Sequence, residues 1–240
     1  MEARTLNFTK ENIESYLNQM QDNKKFPIFE REKINCDEKA AMMFFNELSR
    51  RIYPNFVLDG DNSGVYSNLI KWVLGHDFEC YNTDGTRRMK GDVCKGIFLF
   101  GSTGTGKSVA LSLLNRFCEQ INPRVRLSAD DEKILRWKTY RTTEVTRKYA
   151  NDGDFDLYVN APFIGFDDLG SEQEDTLYMG NRLKLLRQIL EIRGDRQNQM
   201  TLITSNLPFS KITEFYGDRV ASRLVAMCNF FYLGGKDRRI

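Results

Sequence analysis

Histidine, proline and paired cysteine are scarce in this sequence. The chain has one histidine, five prolines and five cysteines among 240 residues. The cysteines form no CxxC pair, and His76 has no partner at metal-ligand spacing, so nothing indicates a structural zinc site. Reduced thiols are typical of the cytosol, and we therefore expect a cytoplasmic protein. The cysteines are Cys36, Cys80, Cys94, Cys118 and Cys228.

Long hydrophobic runs and an excess of one charge are also absent. The N-terminus, MEARTLNFTKENIES, has no apolar core of the signal-peptide type. No stretch approaches the roughly 18 apolar residues that span a bilayer, so we expect no membrane association. Lys and Arg total 35 against 33 Asp and Glu, a net charge of +2. A nucleic-acid contact would therefore depend on a local basic patch.

The first 90 residues read as mainly helical. Periodic apolar residues predict helices at Asp37–Tyr53 and Tyr66–Leu74, with a polar helix candidate at Thr9–Lys25. The polar stretch 81–92 contains two glycines and predicts a connection or surface hairpin. We expect an N-terminal helical region at 1–90 and a second region at 91–240.

From residue 93 the sequence alternates between strand and helix patterns. The predicted strands are Gly96–Phe100, Arg124–Ala129, Pro162–Asp167, Met200–Ser205 and Phe230–Leu233. The predicted helices are Val109–Gln120, most of Asp130–Asn151, Thr176–Arg193 and, in two pieces, Pro208–Cys228. Repeated alternation of this kind indicates an α/β fold with a parallel sheet flanked by helices.

A glycine-rich segment between the first of these strands and its helix matches GxxxxGK[ST], the P-loop. The predicted ATP-binding residues are Gly101, Ser102, Thr103, Gly104, Thr105, Gly106, Lys107, Ser108 and Val109. Glycines let successive backbone N–H groups face an anion, and the helix N-terminus adds positive potential. Lys107 would reach the β- and γ-phosphates, and Ser108 would ligate Mg²⁺. The alternative is a glycine-rich turn that matches by chance.

Two adjacent carboxylates close the strand at 162–167. Asp167 lies sixty residues after Lys107, a normal separation for the second acidic motif of P-loop ATPases. Asp167 is placed to hold Mg²⁺, and Asp168 to orient or deprotonate the attacking water. They could instead be turn formers before Leu169. Gly165 weakens the strand pattern.

Five segments resemble the AAA+ ATPases of the DnaC/DnaI helicase-loader and IstB transposition-helper group. They are KGIFLFGSTGTGKS (95–108), FIGFDDLGSEQ (163–173), TLITSNLP (201–208), YGDRVASRL (216–224) and GGKDRR (234–239). The resemblance covers about 93–240. It implies a P-loop AAA+ core whose helical lid is absent or vestigial.

The resemblance also implies roles for four polar residues. Asn206 is similar to sensor 1, which positions the hydrolytic water, and Arg238 to the sensor 2 arginine. Arg223 resembles the arginine finger offered to a neighbouring subunit, with Arg219 as the alternative. Simpler interpretations are a helix cap for Asn206, ion pairs for Arg219 and Arg223, and a basic tail for Arg238. Asp168 departs from the glutamate common in AAA+ proteins.

The function implied is an ATPase that loads a replicative helicase and contacts single-stranded DNA. The N-terminal region would bind the helicase, and a shared finger would require a ring or helical oligomer. An apolar patch at 42–45 could meet the partner, or simply pack on the core. Alternatives are a transposition helper that binds a transposase, a nucleotide-sensing scaffold with little turnover, and a small-molecule kinase. Basic residues interleaved with Trp137 and Tyr140 could meet DNA or form a solvated helix face: Arg136, Lys138, Arg141, Arg147 and Lys148.

Overall fold

The computed structural model describes residues 29–172, 175–178, 181–196 and 198–238. The helix expected at Thr9–Lys25 lies outside these residues. Within them, no helix is long and apolar enough to cross a bilayer.

Eight helices and twelve strands lie in the described part of the chain. The helices are α1 (Glu38–Ile52), α2 (Ser63–Leu74), α3 (Lys107–Ile121), α4 (Thr142–Asp152), α5 (Asp156–Asn160), α6 (Leu185–Gly194), α7 (Phe209–Tyr216) and α8 (Asp218–Met227). The strands are β1 (Glu30–Arg31), β2 (Glu79–Tyr81), β3 (Arg88–Lys90), β4 (Gly96–Phe100), β5 (Arg124–Ser128), β6 (Asp131–Ile134), β7 (Lys138–Arg141), β8 (Phe163–Asp167), β9 (Thr176–Tyr178), β10 (Asn181–Leu183), β11 (Met200–Ser205) and β12 (Cys228–Tyr232).

The centre of the molecule is a seven-stranded sheet in the order β3-β2-β12-β4-β11-β8-β7. Strands β12, β4, β11, β8 and β7 run parallel to their neighbours, and the β2–β3 hairpin is antiparallel at one edge. Every residue of β4, β8 and β11 is buried, as expected for parallel strands covered on both faces. The predicted parallel α/β sheet is confirmed, and its carboxyl ends meet along one edge.

The helix predicted at Asp130–Asn151 is wrong over its first half. This segment contains β6 and β7, and helix α4 begins only at Thr142. Strand β7 pairs in parallel with β8, while Leu135 and Trp137 before it are buried. Long-range pairing therefore overrides local helix propensity. The basic residues of 136–148 consequently do not share one helix face.

The helix predicted at Thr176–Arg193 is also wrong at its start. The β9–β10 hairpin comes first, and α6 begins at Leu185. The helix itself is amphipathic, as its sequence pattern predicts, because Leu186, Ile189 and Leu190 are buried along one face.

The strand predicted at Arg124–Ala129 is observed as β5, outside the central sheet. Strand β5 pairs antiparallel with β1 and β6 in a separate three-stranded sheet. The sequence predicted this strand correctly, but it contained no information about which strands pair with it.

Residues 29–90 share a hydrophobic core with the residues that follow. Phe45 of α1 and Trp72 of α2 are fully buried in one cluster with β4 and α3. The hairpin expected at 81–92 is present and joins the central sheet through β12. The patch at 42–45 divides: Phe45 is in the core, whereas Met43 and Phe44 are 74% and 45% exposed. The functional division at residue 91 stays a prediction.

Candidate functional site

The predicted phosphate-binding loop joins β4 to α3. Gly101, Gly104 and Gly106 have φ angles of 149°, 83° and 96°, a region that L side chains rarely adopt. The Lys107 ammonium donates to the carbonyl oxygens of Gly101 and Ser102 at 2.9 and 2.7 Å. The loop therefore holds a buried lysine at the start of a fifteen-residue helix, a site suited to a phosphate anion.

The C-terminal segment lies directly against this loop. The Leu233 N–H donates to the Phe100 carbonyl at 2.8 Å, and the Arg238 N–H donates to the Gly104 carbonyl at 2.9 Å. A Cβ added at Gly101 would lie 2.1 Å from the Leu233 carbonyl oxygen, and one at Gly104 2.2 Å from the Asp237 carboxylate. These glycines are thus required by chain packing as well as by their φ angles. No local signal in the sequence indicates this contact.

Thr204 links the carboxylate of Asp167, the last residue of β8, to the backbone of Asp168. Its hydroxyl donates to Asp167 Oδ1 at 2.6 Å and accepts the Asp168 N–H at 2.8 Å. Asp168 has a left-handed φ of 64°, and the Asn206 side-chain amide donates to its Oδ1 at 2.5 Å. The structure therefore brings Asp167, Asp168 and Asn206 together. Thr204 was missed because its position in an apolar strand resembles that of a core residue.

The loop after Asp168 is fixed on two sides. Thr142 Oγ1 donates to the Asp168 carbonyl at 3.0 Å. The Glu172 carboxylate accepts the Gly170 N–H at 3.0 Å and the Tyr216 hydroxyl. Burial, together with this carboxylate, raises the pKa of the Tyr216 phenol, which keeps it protonated as a donor. These contacts hold the backbone that presents the Asp168 carboxylate.

A cavity of about 420 Å³ lies between the loop and the carboxylates. Its lining includes nine of the predicted site residues: Gly104, Gly106, Lys107, Ser108, Val109, Asp167, Asp168, Asn206 and Arg238. Arg141, Thr143, Ser171 and Thr204 line it as well. Ser108 and Asp167 provide a hydroxyl and a carboxylate, oxygen ligands of the kind that Mg²⁺ prefers, so these residues fit that ion.

A second cavity of about 570 Å³ adjoins the first, sharing Gly106, Val109 and Arg238. Thr105 also lines it, and its walls include the aromatic rings of Tyr53, Phe56 and Tyr66. The two cavities therefore combine a polar compartment with an aromatic one. Ser102 and Thr103 are exposed loop residues that line neither cavity.

Arg238 lies where the two cavities meet. Its two terminal nitrogens each donate to one oxygen of Asp59 at 2.9 Å, a bidentate ion pair. The pair raises the pKa of Arg238 and lowers that of Asp59. A residue from the first 90 thus positions the predicted sensor 2 arginine, a partner that sequence reasoning did not find.

Arg219 and Arg223 are not brought to the cavity. Arg223 forms an ion pair with Asp195 at 2.5 Å, and it packs so closely on α6 that a Cβ at Gly194 would lie 2.6 Å from it. Arg219 lies 3.7 Å from Glu191, and its side chain is 61% exposed against 21% for Arg223. Of the two, Arg219 is more accessible to a neighbouring subunit.

The chain is similar to several solved structures. The DnaC helicase loader matches with a TM-score of 0.52 and 18% identity, over 79% of this chain and 98% of that one. AMPPCP-bound DnaA from Aquifex aeolicus matches with a TM-score of 0.47 and 14% identity, over 78% of this chain and 51% of that one. PCH-2 from C. elegans matches with a TM-score of 0.39 and 18% identity, over 88% of this chain and 50% of that one.

The similarity to the DnaC structure establishes the fold. No protein-family model matches the chain, and no curated protein is significantly similar to it. The DnaC match confirms the AAA+ fold expected from the motifs. Sequence identity below a fifth leaves the function to be argued from the site.

Proposed function

We propose that this chain, with its DnaC-like AAA+ fold, binds ATP with Mg²⁺ and hydrolyses it. The observation that carries the proposal is the single cavity shared by Lys107, Ser108 and Asp167. The loop amides and Lys107 would hold the β- and γ-phosphates, while Ser108 and Asp167 would hold Mg²⁺. When bound, that ion would neutralise charge on the phosphate oxygens.

The adjoining cavity supports a nucleotide rather than inorganic phosphate as the ligand, because it offers space for a nucleoside beside the phosphates. Val109 and Gly106 line both cavities, so a molecule bound at the loop can extend past them. The rings of Tyr53, Phe56 and Tyr66 offer apolar surface for a base. We therefore place the triphosphate in the first cavity and the adenosine in the second.

Hydrolysis requires a water molecule held in line with the γ-phosphate. We propose that Asp168 accepts the proton of that water and that Asn206 orients both the water and the Asp168 carboxylate. Their hydrogen bond at 2.5 Å supports this role, because it places the two side chains in contact with each other in the lining of one cavity. Thr204 would keep Asp167 and Asp168 in register.

For the cellular role we propose a helicase-loader-like function in DNA replication. The fold match spans 98% of the chain in the solved DnaC helicase-loader structure, which supports a related role. In this proposal the N-terminal region binds a replicative helicase, single-stranded DNA is a ligand, and subunits form a ring or helical oligomer. A transposase partner is the alternative that affinity capture with the full chain would reveal.

Calorimetric titration with MgATP tests nucleotide binding. The full chain is expected to bind, and Lys107→Ala to weaken binding by at least tenfold, since it removes a charge-assisted contact worth about 1.5–3 kcal/mol. Lys95→Ala is a control, because Lys95 contacts the Val225 carbonyl away from the cavity. Absence of MgATP binding by the full chain would refute the proposal.

The second candidate function is a nucleotide-sensing scaffold with little turnover. It is favoured by the short Asp168 side chain, whose carboxylate accepts a hydrogen bond from Asn206. Steady-state hydrolysis with and without single-stranded DNA separates the two functions. A rate near zero that DNA does not raise, despite normal MgATP binding, would favour the scaffold.

A further inference from the structure

Arg141 is the last residue of the edge strand β7. It pairs in parallel register with Asp167 of β8, so neighbouring-strand geometry sets its backbone about 4.8 Å from that of Asp167. Residues paired in this way present their side chains on the same face of a sheet. Both residues line the first cavity. An arginine therefore stands beside the predicted Mg²⁺ ligand, on the side away from the phosphate-binding loop.

The other arginines considered for catalysis are already engaged. Arg238 forms a bidentate pair with Asp59, and Arg223 is paired with Asp195 outside the cavity. Arg141 differs, because no carboxylate in the described part of the chain lies within ion-pair distance of it. Its side chain is exposed. Its guanidinium is therefore available to an anionic ligand.

The backbone that carries Arg141 is held in place. Strand pairing fixes it on one side, and the next residue, Thr142, donates to the Asp168 carbonyl at 3.0 Å. Helix α4 begins at once after Arg141, and Thr143 in its first turn lines the same cavity. A charged head group on a rigid base is the arrangement expected of a residue that positions or stabilises a reacting group.

We propose that Arg141 is a catalytic arginine acting in cis, donating to the γ-phosphate of ATP bound in its own subunit. This inference rests on the proposed ATPase function. In hydrolysis the water oxygen bonds to the γ-phosphorus, and the bond from that phosphorus to the β–γ bridging oxygen breaks. The proton of the water passes to Asp168, and ADP and phosphate leave. Negative charge grows on the γ-oxygens and the bridging oxygen, and Arg141 neutralises it.

Nucleotide affinity and turnover test this role directly. For Arg141→Ala we expect a turnover loss of about 10³-fold, the lower end of the range for such arginines. Affinity for MgATP should fall while affinity for MgADP is unchanged, because only ATP has a γ-phosphate. Arg141→Lys should recover part of the ATP affinity and less of the turnover. Arg126→Ala is the matched control and should behave as the wild type, because this exposed arginine of β5 pairs with Glu30 and lines neither cavity.

Subunit mixing decides between action in cis and in trans. Arg141→Ala subunits retain the loop, and Lys107→Ala subunits retain Arg141. If Arg141 acts in cis, mixing the two leaves hydrolysis at the level of the separate variants. Recovery of hydrolysis on mixing would overturn the cis assignment.

The outcomes also separate this inference from the ATPase proposal. MgATP affinity, MgADP affinity and turnover that all stay at wild-type values in Arg141→Ala, beside an inactive Lys107→Ala, would refute the role of Arg141 alone. Loss of single-stranded DNA binding with unchanged nucleotide affinity would likewise refute it and assign Arg141 to DNA. A wild-type chain that binds no MgATP would refute the ATPase proposal itself.

Discussion

At the scale of single residues, the site depends on hydroxyl and carboxylate contacts that support the predicted motif residues. Thr204 contacts Asp167 through its hydroxyl and the Asp168 N–H through the same oxygen. Asp59 holds both terminal nitrogens of Arg238. Neither residue belongs to the phosphate-binding motif, yet each sets the position of one that the motifs identified.

Replacing Thr204 by valine removes the hydroxyl and keeps the shape of the side chain. The Asp168 N–H would lose its acceptor, so we expect a stability loss of about 1–3 kcal/mol in urea unfolding and slower ATP hydrolysis. Thr146→Val is the control, since its hydroxyl bonds only an exposed helix carbonyl; it should change stability by less than about 0.5 kcal/mol. Unchanged stability and hydrolysis in Thr204→Val would contradict this role.

The Asp59–Arg238 pair predicts a dependence of stability on pH. The pair lowers the pKa of Asp59 in the folded state. Its stabilising effect is therefore complete above the pKa of Asp59 in the unfolded chain, about 3.9. The effect is lost as the pH falls through the lower pKa of the folded state. The difference in unfolding free energy between wild type and Asp59→Asn should therefore be larger at pH 7 than at about pH 3.

The exposed neighbour Asp61 provides the control for this titration. Asp61→Asn keeps the ion pair between Asp59 and Arg238. Its unfolding free energy at pH 7 should therefore differ less from the wild type than that of Asp59→Asn does. An Asp59→Asn effect that is the same at both pH values would exclude the pair as its cause.

At the scale of elements, Arg193 joins α6 to its surroundings. It is 1% exposed, and burial lowers its pKa to about 9. Its guanidinium donates to the carbonyls of Tyr158, Ala161 and Met200 at 3.1, 2.8 and 2.9 Å. One side chain therefore links three segments around β11.

We expect Arg193→Ala to destabilise the fold by at least about 2 kcal/mol, because several buried carbonyls lose their donor. Arg187→Ala on the same helix is the matched control. Its side chain is 41% exposed and pairs with Glu191 one turn away, so at most about 0.5 kcal/mol should be lost. Thermal and urea unfolding measure both variants, and equal losses would contradict the linking role.

The strand β7 shows how neighbours decide the identity of an element. Its sequence, KTYR, lies in a polar stretch that favours helix by periodicity, yet it completes the parallel sheet beside β8. Gly165 of β8 permits this approach, since an added Cβ would lie 2.5 Å from the Thr139 hydroxyl. The glycine that weakened the strand prediction is thus what allows the neighbouring strand to pair.

At the scale of the whole molecule, residues 29–90 are part of the same folded unit as the loop. We predict that a chain starting at residue 91 will not unfold cooperatively, because it lacks β2, β3 and the core helices α1 and α2. Circular dichroism during heating measures this. A cooperative transition in the shortened chain would show that 91–238 folds alone.

Partner binding is therefore better tested by surface substitutions than by truncation. Met43→Ser combined with Phe44→Ser alters the most exposed apolar residues of α1 while leaving Phe45 in the core. Reduced capture of a replicative helicase with unchanged stability would support this surface as the contact. Full retention of the helicase would exclude it.

The proposed trans arginine would act only in an assembly of subunits. Arg219 is the more exposed candidate, and Arg223 is held by Asp195. We expect Arg219→Ala to retain MgATP binding and lose most hydrolysis, roughly 10³-fold. Arg223→Ala should instead lower stability. Normal turnover in Arg219→Ala would remove its role as the finger.

The sequence by itself determined the glycine-rich loop at 101–108, the strand before it, the carboxylates of 167–168 and the parallel character of the sheet. Each depends on residues close together in the chain, whose spacing and apolar pattern follow from local geometry. Only the tertiary structure decided that β7 is a strand, that Asp59 holds Arg238 and that Arg141 faces the cavity. These depend on contacts between distant segments, which no local pattern specifies, because the free energy of pairing and burial is gained only once those segments meet.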